Sequence, residues 1–208
     1  MSLKNEILSY SSVNIINASV PFLLLPILTS YLTPEDYGVL SMVQLLMTLS
    51  LPFVIMNSQR LLTMEYSNIP FEEYKSLVSS AIIIPVFGFL FLELIYLVIK
   101  EPIIKYFQIP EYLIYLIPVF LLFQIIPIFI PIIFQAKKEP FNFGKFKITL
   151  TIINVLLSLL FIVYCGFGWE GRIFGIVGSF ILSTILGIFI LFKIKIINFN
   201  INKIDIKR

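Results

Sequence analysis

Six stretches of this chain are each apolar for about the length of a bilayer crossing, and short polar turns separate them. They run over residues 7–32, 39–62, 77–99, 112–134, 146–165 and 173–192. A hydrocarbon core about 30 Å thick takes roughly 20 apolar helical residues to cross. Backbone amides find no water there, so each crossing segment is expected to be an α-helix. The chain has 208 residues. Six crossings leave no room for a folded soluble domain, so any chemistry has to lie between the helices. The expected fold class is all-α and polytopic, with a six-helix transmembrane unit over residues 1–192.

Composition narrows the function classes. Charged residues make up 13% of the chain, about half of what a soluble domain carries. Histidine is absent, which excludes a histidine metal site or general base. Cys165 is the only cysteine, which excludes an internal disulfide or a thiolate cluster. No nucleophile–base pair, phosphate-binding glycine loop or HExxH-type helix is present. The expectation is therefore no enzyme activity, no cofactor and no metal. The net charge of +3 is too small to suggest nucleic acid. The N-terminal ten residues lack the short apolar core and small-residue cleavage site of a signal peptide, so the first span is expected to remain.

The placement of charge says more than its sum. With the N-terminus on the cytoplasmic side, twelve of the fifteen basic residues fall on that side and three, Lys100, Lys105 and Arg172, on the other. Such a bias in short loops is a positive-inside signal and puts both termini in the cytoplasm. Lys145 and Lys147 read as topology charges. Residues 193–208 form a basic tail, either an interfacial segment or a solvated linker.

Polar residues inside the spans recur at helical spacing: Asn14, Asn17 and Pro21; Ser41, Gln44 and Thr48; Gln124, Pro127 and Pro131; Thr151, Asn154 and Ser158. Spacings of three and four place side chains on one helix face. An unpaired amide facing lipid is costly. Each stripe either glues two helices together or lines a shared polar cavity. Gly175, Ser179, Ser183 and Gly187 recur every four residues and read as a close-packing face, internal or intermolecular. Seven prolines lie in or near the ends of the spans, which suits helices that bend between states and equally suits static kinks. Glu93 lies about 10 Å inside the outer end of the third span. It is a candidate ion-coupling residue, binding a proton or cation, or else a neutral or paired carboxyl near the interface. Arg60, at the cytoplasmic end of the second span, either grips a phosphate bidentately or snorkels to lipid headgroups.

Residues 21–41 read PFLLLPILTSYLTPEDYGVLS. This run resembles the opening of Wzx-type polysaccharide exporters, the O-antigen and capsule flippases of the multidrug/oligosaccharidyl-lipid/polysaccharide superfamily. In that family a kinked first helix ends in a Pro-x-x-Tyr-Gly turn, here Pro34, Tyr37 and Gly38. Pro34 stops one helix, Glu35 and Asp36 favour the next N-terminus, and Gly38 is expected to permit tight packing. The resemblance extends over residues 5–195. It implies one lobe of a MATE-like transporter fold in a bacterial inner membrane. Its implied activity is translocation of undecaprenyl-pyrophosphate-linked oligosaccharide, for lipopolysaccharide or capsule synthesis, by alternating access around a cationic cavity. By this resemblance Arg60 is a candidate cavity cation. Asn14, Asn17 and Gln44 join it as substrate-binding candidates from their helical faces. The implied partners are the lipid bilayer, the lipid-linked oligosaccharide, and a second lobe or second copy, because the family carries twelve to fourteen helices and alternating access works between two repeats. The six spans then correspond to an N-terminal half. Two rivals remain: half of a multidrug-type cation-coupled exporter with its site at Glu93, or a non-transporting membrane scaffold or remnant.

Overall fold

A computed structural model describes the backbone of residues 3–196 and the side chains from Leu8 onward. Seven α-helices follow one another: α1 Leu3–Tyr31, α2 Pro34–Ile55, α3 Ser58–Glu65, α4 Phe71–Phe107, α5 Glu111–Ala136, α6 Pro140–Leu159 and α7 Gly168–Lys193. All but α3 are long and apolar enough to cross a membrane. A π-helical turn, Leu160–Tyr164, extends α6.

The turn between α1 and α2 follows the sequence chemistry. Thr33 caps α2 in a complete capping box: its hydroxyl accepts from the Asp36 amide, and the Asp36 carboxylate accepts from the Thr33 amide at 2.9 Å. Two orphan helix donors are satisfied reciprocally, and Pro34 sits at the first helical position, where its missing N–H costs nothing. Gly38 corrects an expectation. A Cβ there would meet nothing within 4 Å, so tight packing inside this bundle is not its role.

The second span does not run to residue 62. Met56 and Asn57 both take left-handed backbone angles (φ 49° and 59°), ending α2 and turning the chain into α3. Arg60 therefore lies on α3 and is exposed. The third span is longer than expected. α4 runs for 37 residues and bends at Ile99 (φ −107°, ψ 20°), three residues before Pro102, so residues 101–107 are helical. Pro102 removes one helical hydrogen bond and its ring clashes with the preceding turn, which places the bend there.

The core is organised around α5. Of the apolar stretch of α5, 61% is buried, against 11% of that of α1. Phe129, Ile130, Ile133 and Leu121 fill its buried sides. Pro127 and Pro131 are part of this packing. α5 packs against α2, α3, α4, α6 and α7, whereas α1 packs along α6. The small-residue face of α7 is internal. A Cβ on Gly175 would lie 2.6 Å from Ser158 Cα, and one on Gly187 would run into Ile126. The basic tail falls, for residues 197–208, outside the described residues. Lys193 still ends α7, and Ile196 is fully buried against the core.

Candidate functional site

The polar stripe of α6 is the one that the fold builds into a continuous track. Lys147, Thr151, Asn154 and Ser158 fall at spacings of four, three and four, and so share one face. α1 and α7 bring polar partners to that face. The Lys147 ammonium donates to Asn14 Oδ1 at 2.9 Å and lies 5.2 Å from the centre of the Phe143 ring. The Thr151 hydroxyl bonds the Asn17 side-chain carbonyl. Arg172 Nη1 donates to Asn154 Oδ1 at 2.8 Å and to Ser158 Oγ at 2.5 Å. The Asn154 amide donates in turn to Ser179 Oγ at 3.3 Å. The track thus carries a cation at each end. Eleven residues of α6 separate Lys147 from Ser158, about 16 Å at the helical rise.

Burial varies along the track: Asn14 is exposed, Asn17, Lys147, Thr151, Asn154 and Arg172 are half-buried, and Ser158 is fully buried. α1 packs along α6, and α2 packs on α4 and α5 and touches α7. α1 and α2 are joined by a short turn yet make no sustained contact with each other. The polar face of α6 and α7 therefore lies between α1, which packs on α6, and α2, which touches α7. Tyr37, at the start of α2, interacts electrostatically with Arg172. Its hydroxyl is buried with no hydrogen-bond partner among the described residues.

The sequence candidates separate into two groups. Asn14 and Asn17 join the track directly. Gln44 is exposed on the same face of α2 as Tyr37, seven residues or about 10 Å further along. Arg60 stays apart, on α3 against α4 and α5. Glu93 also stays apart, on α4, which packs against α2, α3 and α5. One of its carboxylate oxygens is buried without a hydrogen-bond partner among the described residues. Lys147 and Arg172 are the residues that sequence reasoning passed over, because both counted as topology charges. The signal was present: Lys147 continues the Thr151, Asn154, Ser158 stripe by one more helical step.

At the Arg172 end, Tyr112 donates to Glu170 at 2.5 Å and Lys100 pairs with Glu111 at 3.0 Å. These exposed links tie α4, α5 and α7 together, and such pairs contribute little to stability. An apolar groove of about 440 Å³ lies where Ile27 and Tyr31 of α1 approach Leu156, Leu160 and Tyr164. These residues occupy the side of α6 opposite the polar track.

A family model described as polysaccharide biosynthesis protein matches residues 3–208, nearly the whole chain. No curated protein and no solved structure matches it.

Proposed function

The chain belongs to the polysaccharide biosynthesis protein family, and on that premise we propose that it is one lobe of a transporter for lipid-linked oligosaccharide. The substrate class has three parts: a prenyl chain that prefers lipid, a diphosphate that does not, and a sugar rich in hydroxyls. The observation that carries the reading is the polar track between α1, α6 and α7. It offers a cation, an amide–hydroxyl pair and a second cation in succession, across a segment that lipid would otherwise fill. Hydroxyls and amides suit sugars, and the cations suit a diphosphate. The gap between α1 and α2 supports a lateral route in which the prenyl chain stays in the bilayer while the head group passes. The protein transports and does not catalyse. It sits in a bacterial inner membrane with both termini cytoplasmic, and works by alternating access against a second lobe or a second copy in a MATE-like arrangement. Arg60 is exposed at the end of the lobe where α2 finishes and α6 begins, and serves as a first contact for the incoming head group.

The test is polysaccharide display in a producing strain whose own copy of the gene is deleted. Lys147→Gln is expected to lower display at least about tenfold, the effect of losing one charge-assisted hydrogen bond of roughly 1.5 kcal/mol, with membrane abundance unchanged. Arg60→Ala is expected to lower display less. Full display with Lys147→Gln would remove the track from the route.

Glu93 supports a second reading, in which export is coupled to a proton or cation. Glu93→Gln is then expected to abolish the dependence of export on the ion gradient. Unaltered gradient dependence would count against Glu93 as the coupling group.

A further inference from the structure

Arg172, like Lys147, turns to neutral acceptors within the track and not to a carboxylate. Lys75, Lys100 and Lys137 each pair with a glutamate. A long basic side chain near the end of a span ordinarily reaches out to water and headgroups. Arg172, five residues into α7, turns inward and is half-buried.

Its seat is fixed from three sides. Ser158 is fully buried and Asn154 is held by Ser179, so neither acceptor is free to follow the guanidinium outward. Gly175 lets α7 approach Ser158 closely enough for the bond to form. Both acceptors engage the same nitrogen, Nη1, and both are neutral. No carboxylate lies within 4.0 Å of Arg172 among the described residues. A guanidinium withdrawn from water is costly without a counter-charge. Here Nη2 and Nε have no protein acceptor among the described residues, and these two donors form the planar fork that grips an oxyanion bidentately. The buried Tyr37 hydroxyl has no hydrogen-bond partner among the described residues and lies within electrostatic reach of the guanidinium.

We propose that Arg172, seated by Asn154 and Ser158 and complemented by the Tyr37 hydroxyl, binds a phosphate or diphosphate group at the far end of the polar track. The proposal deepens the transport reading and rests on it for its biological meaning: it gives the track a second oxyanion station about 16 Å from Lys147. The two stations differ in kind. Lysine offers a compact point charge that exchanges partners readily, and arginine offers a fixed fork.

The full-length protein in nanodiscs of neutral phosphatidylcholine tests this directly. Inorganic pyrophosphate is titrated in, and binding is read as heat and as emission from Trp169, the only tryptophan in the chain and three residues from Arg172. Saturable binding is expected. Arg172→Gln and Arg172→Lys should each weaken it at least tenfold. Tyr37→Phe should weaken it severalfold while leaving thermal stability unchanged, since that hydroxyl has no hydrogen-bond partner among the described residues. This variant separates ligand binding from folding. Lys145→Gln, an exposed residue outside the seat, should bind normally. A second set of nanodiscs containing phosphatidylglycerol distinguishes the source. Competition with pyrophosphate assigns the site to lipid headgroups, and its absence assigns it to a mobile diphosphate; both retain the oxyanion site. No saturable binding, or binding unchanged in Arg172→Gln, overturns the proposal. If binding fails while export still depends on Lys147, this inference falls and the transport reading stands. If binding holds while export ignores Lys147, the transport reading falls instead.

Discussion

Gly38 and Gly175 occupy helices for opposite reasons. Gly38 faces open space, with nothing within 4 Å of where a Cβ would sit. Its backbone is ordinary helix, so Gly38→Ala should be neutral or should raise stability by up to about 1 kcal/mol, the usual cost of glycine within a helix. Thermal unfolding in detergent measures this. A raised melting temperature combined with lost export would mean that something outside this lobe needs the open space. Gly175 has no such room, because a Cβ would collide with the Ser158 backbone at 2.6 Å. Gly175→Ala should cost about 1–3 kcal/mol, the usual range for overpacking. It should also push α7 from α6 and loosen the Arg172–Ser158 bond, so pyrophosphate affinity and stability should fall together. Full stability with Gly175→Ala would mean that α7 can shift without loss.

Among the elements, the break between α2 and α3 makes the clearest prediction. Met56 sits at φ 49°, where a side chain costs about 1–2 kcal/mol. Met56→Gly should relieve part of that, and Met56→Val, with a branched Cβ, should add to it. Chemical denaturation of the purified protein would show opposite shifts; shifts of the same sign would mean the break is not maintained. This break was not legible in the sequence. No proline or glycine marks it, and only Asn57, a residue that tolerates left-handed angles, hinted at it. The six crossings were legible because bilayer thickness imposes a length that composition reveals directly. The continuation of α4 past Pro102 was misjudged because a proline can bend a helix without ending it. The same division applies to the site. Helical spacing exposed the stripes Asn14–Asn17 and Thr151–Asn154–Ser158, because that periodicity is local. Which stripes meet is a non-local outcome of packing, so Pro127 and Pro131, equally periodic, went to the core, and Gln124 beside them is half-buried. Lys147 and Arg172 were hidden for a different reason. Counting charges by side fixes where a residue enters the membrane, but not which way its side chain turns.

For the molecule as a whole, the direction of the polar track depends on orientation. In the proposed orientation, with both termini cytoplasmic, Lys147 faces the cytoplasm and Arg172 the outside. Cys165 reads this out without mutagenesis. It is the only cysteine in the chain, is exposed, and sits just past the π-helical turn between α6 and α7. A membrane-impermeant maleimide should label it in cells whose outer face is accessible, before any permeabilisation of the inner membrane. Lys137→Cys in a Cys165→Ser background, at the opposite end of α6, should label only after permeabilisation. The reverse pattern would invert the lobe. Arg172 would then become the cytoplasmic station and Lys147 the outer one. A carrier that loads on the bidentate fork and releases from the point charge works against a different gradient of affinity from one that does the opposite. Orientation therefore decides whether the tighter oxyanion seat favours capture or delays release, and the labelling order of these two cysteines separates the cases.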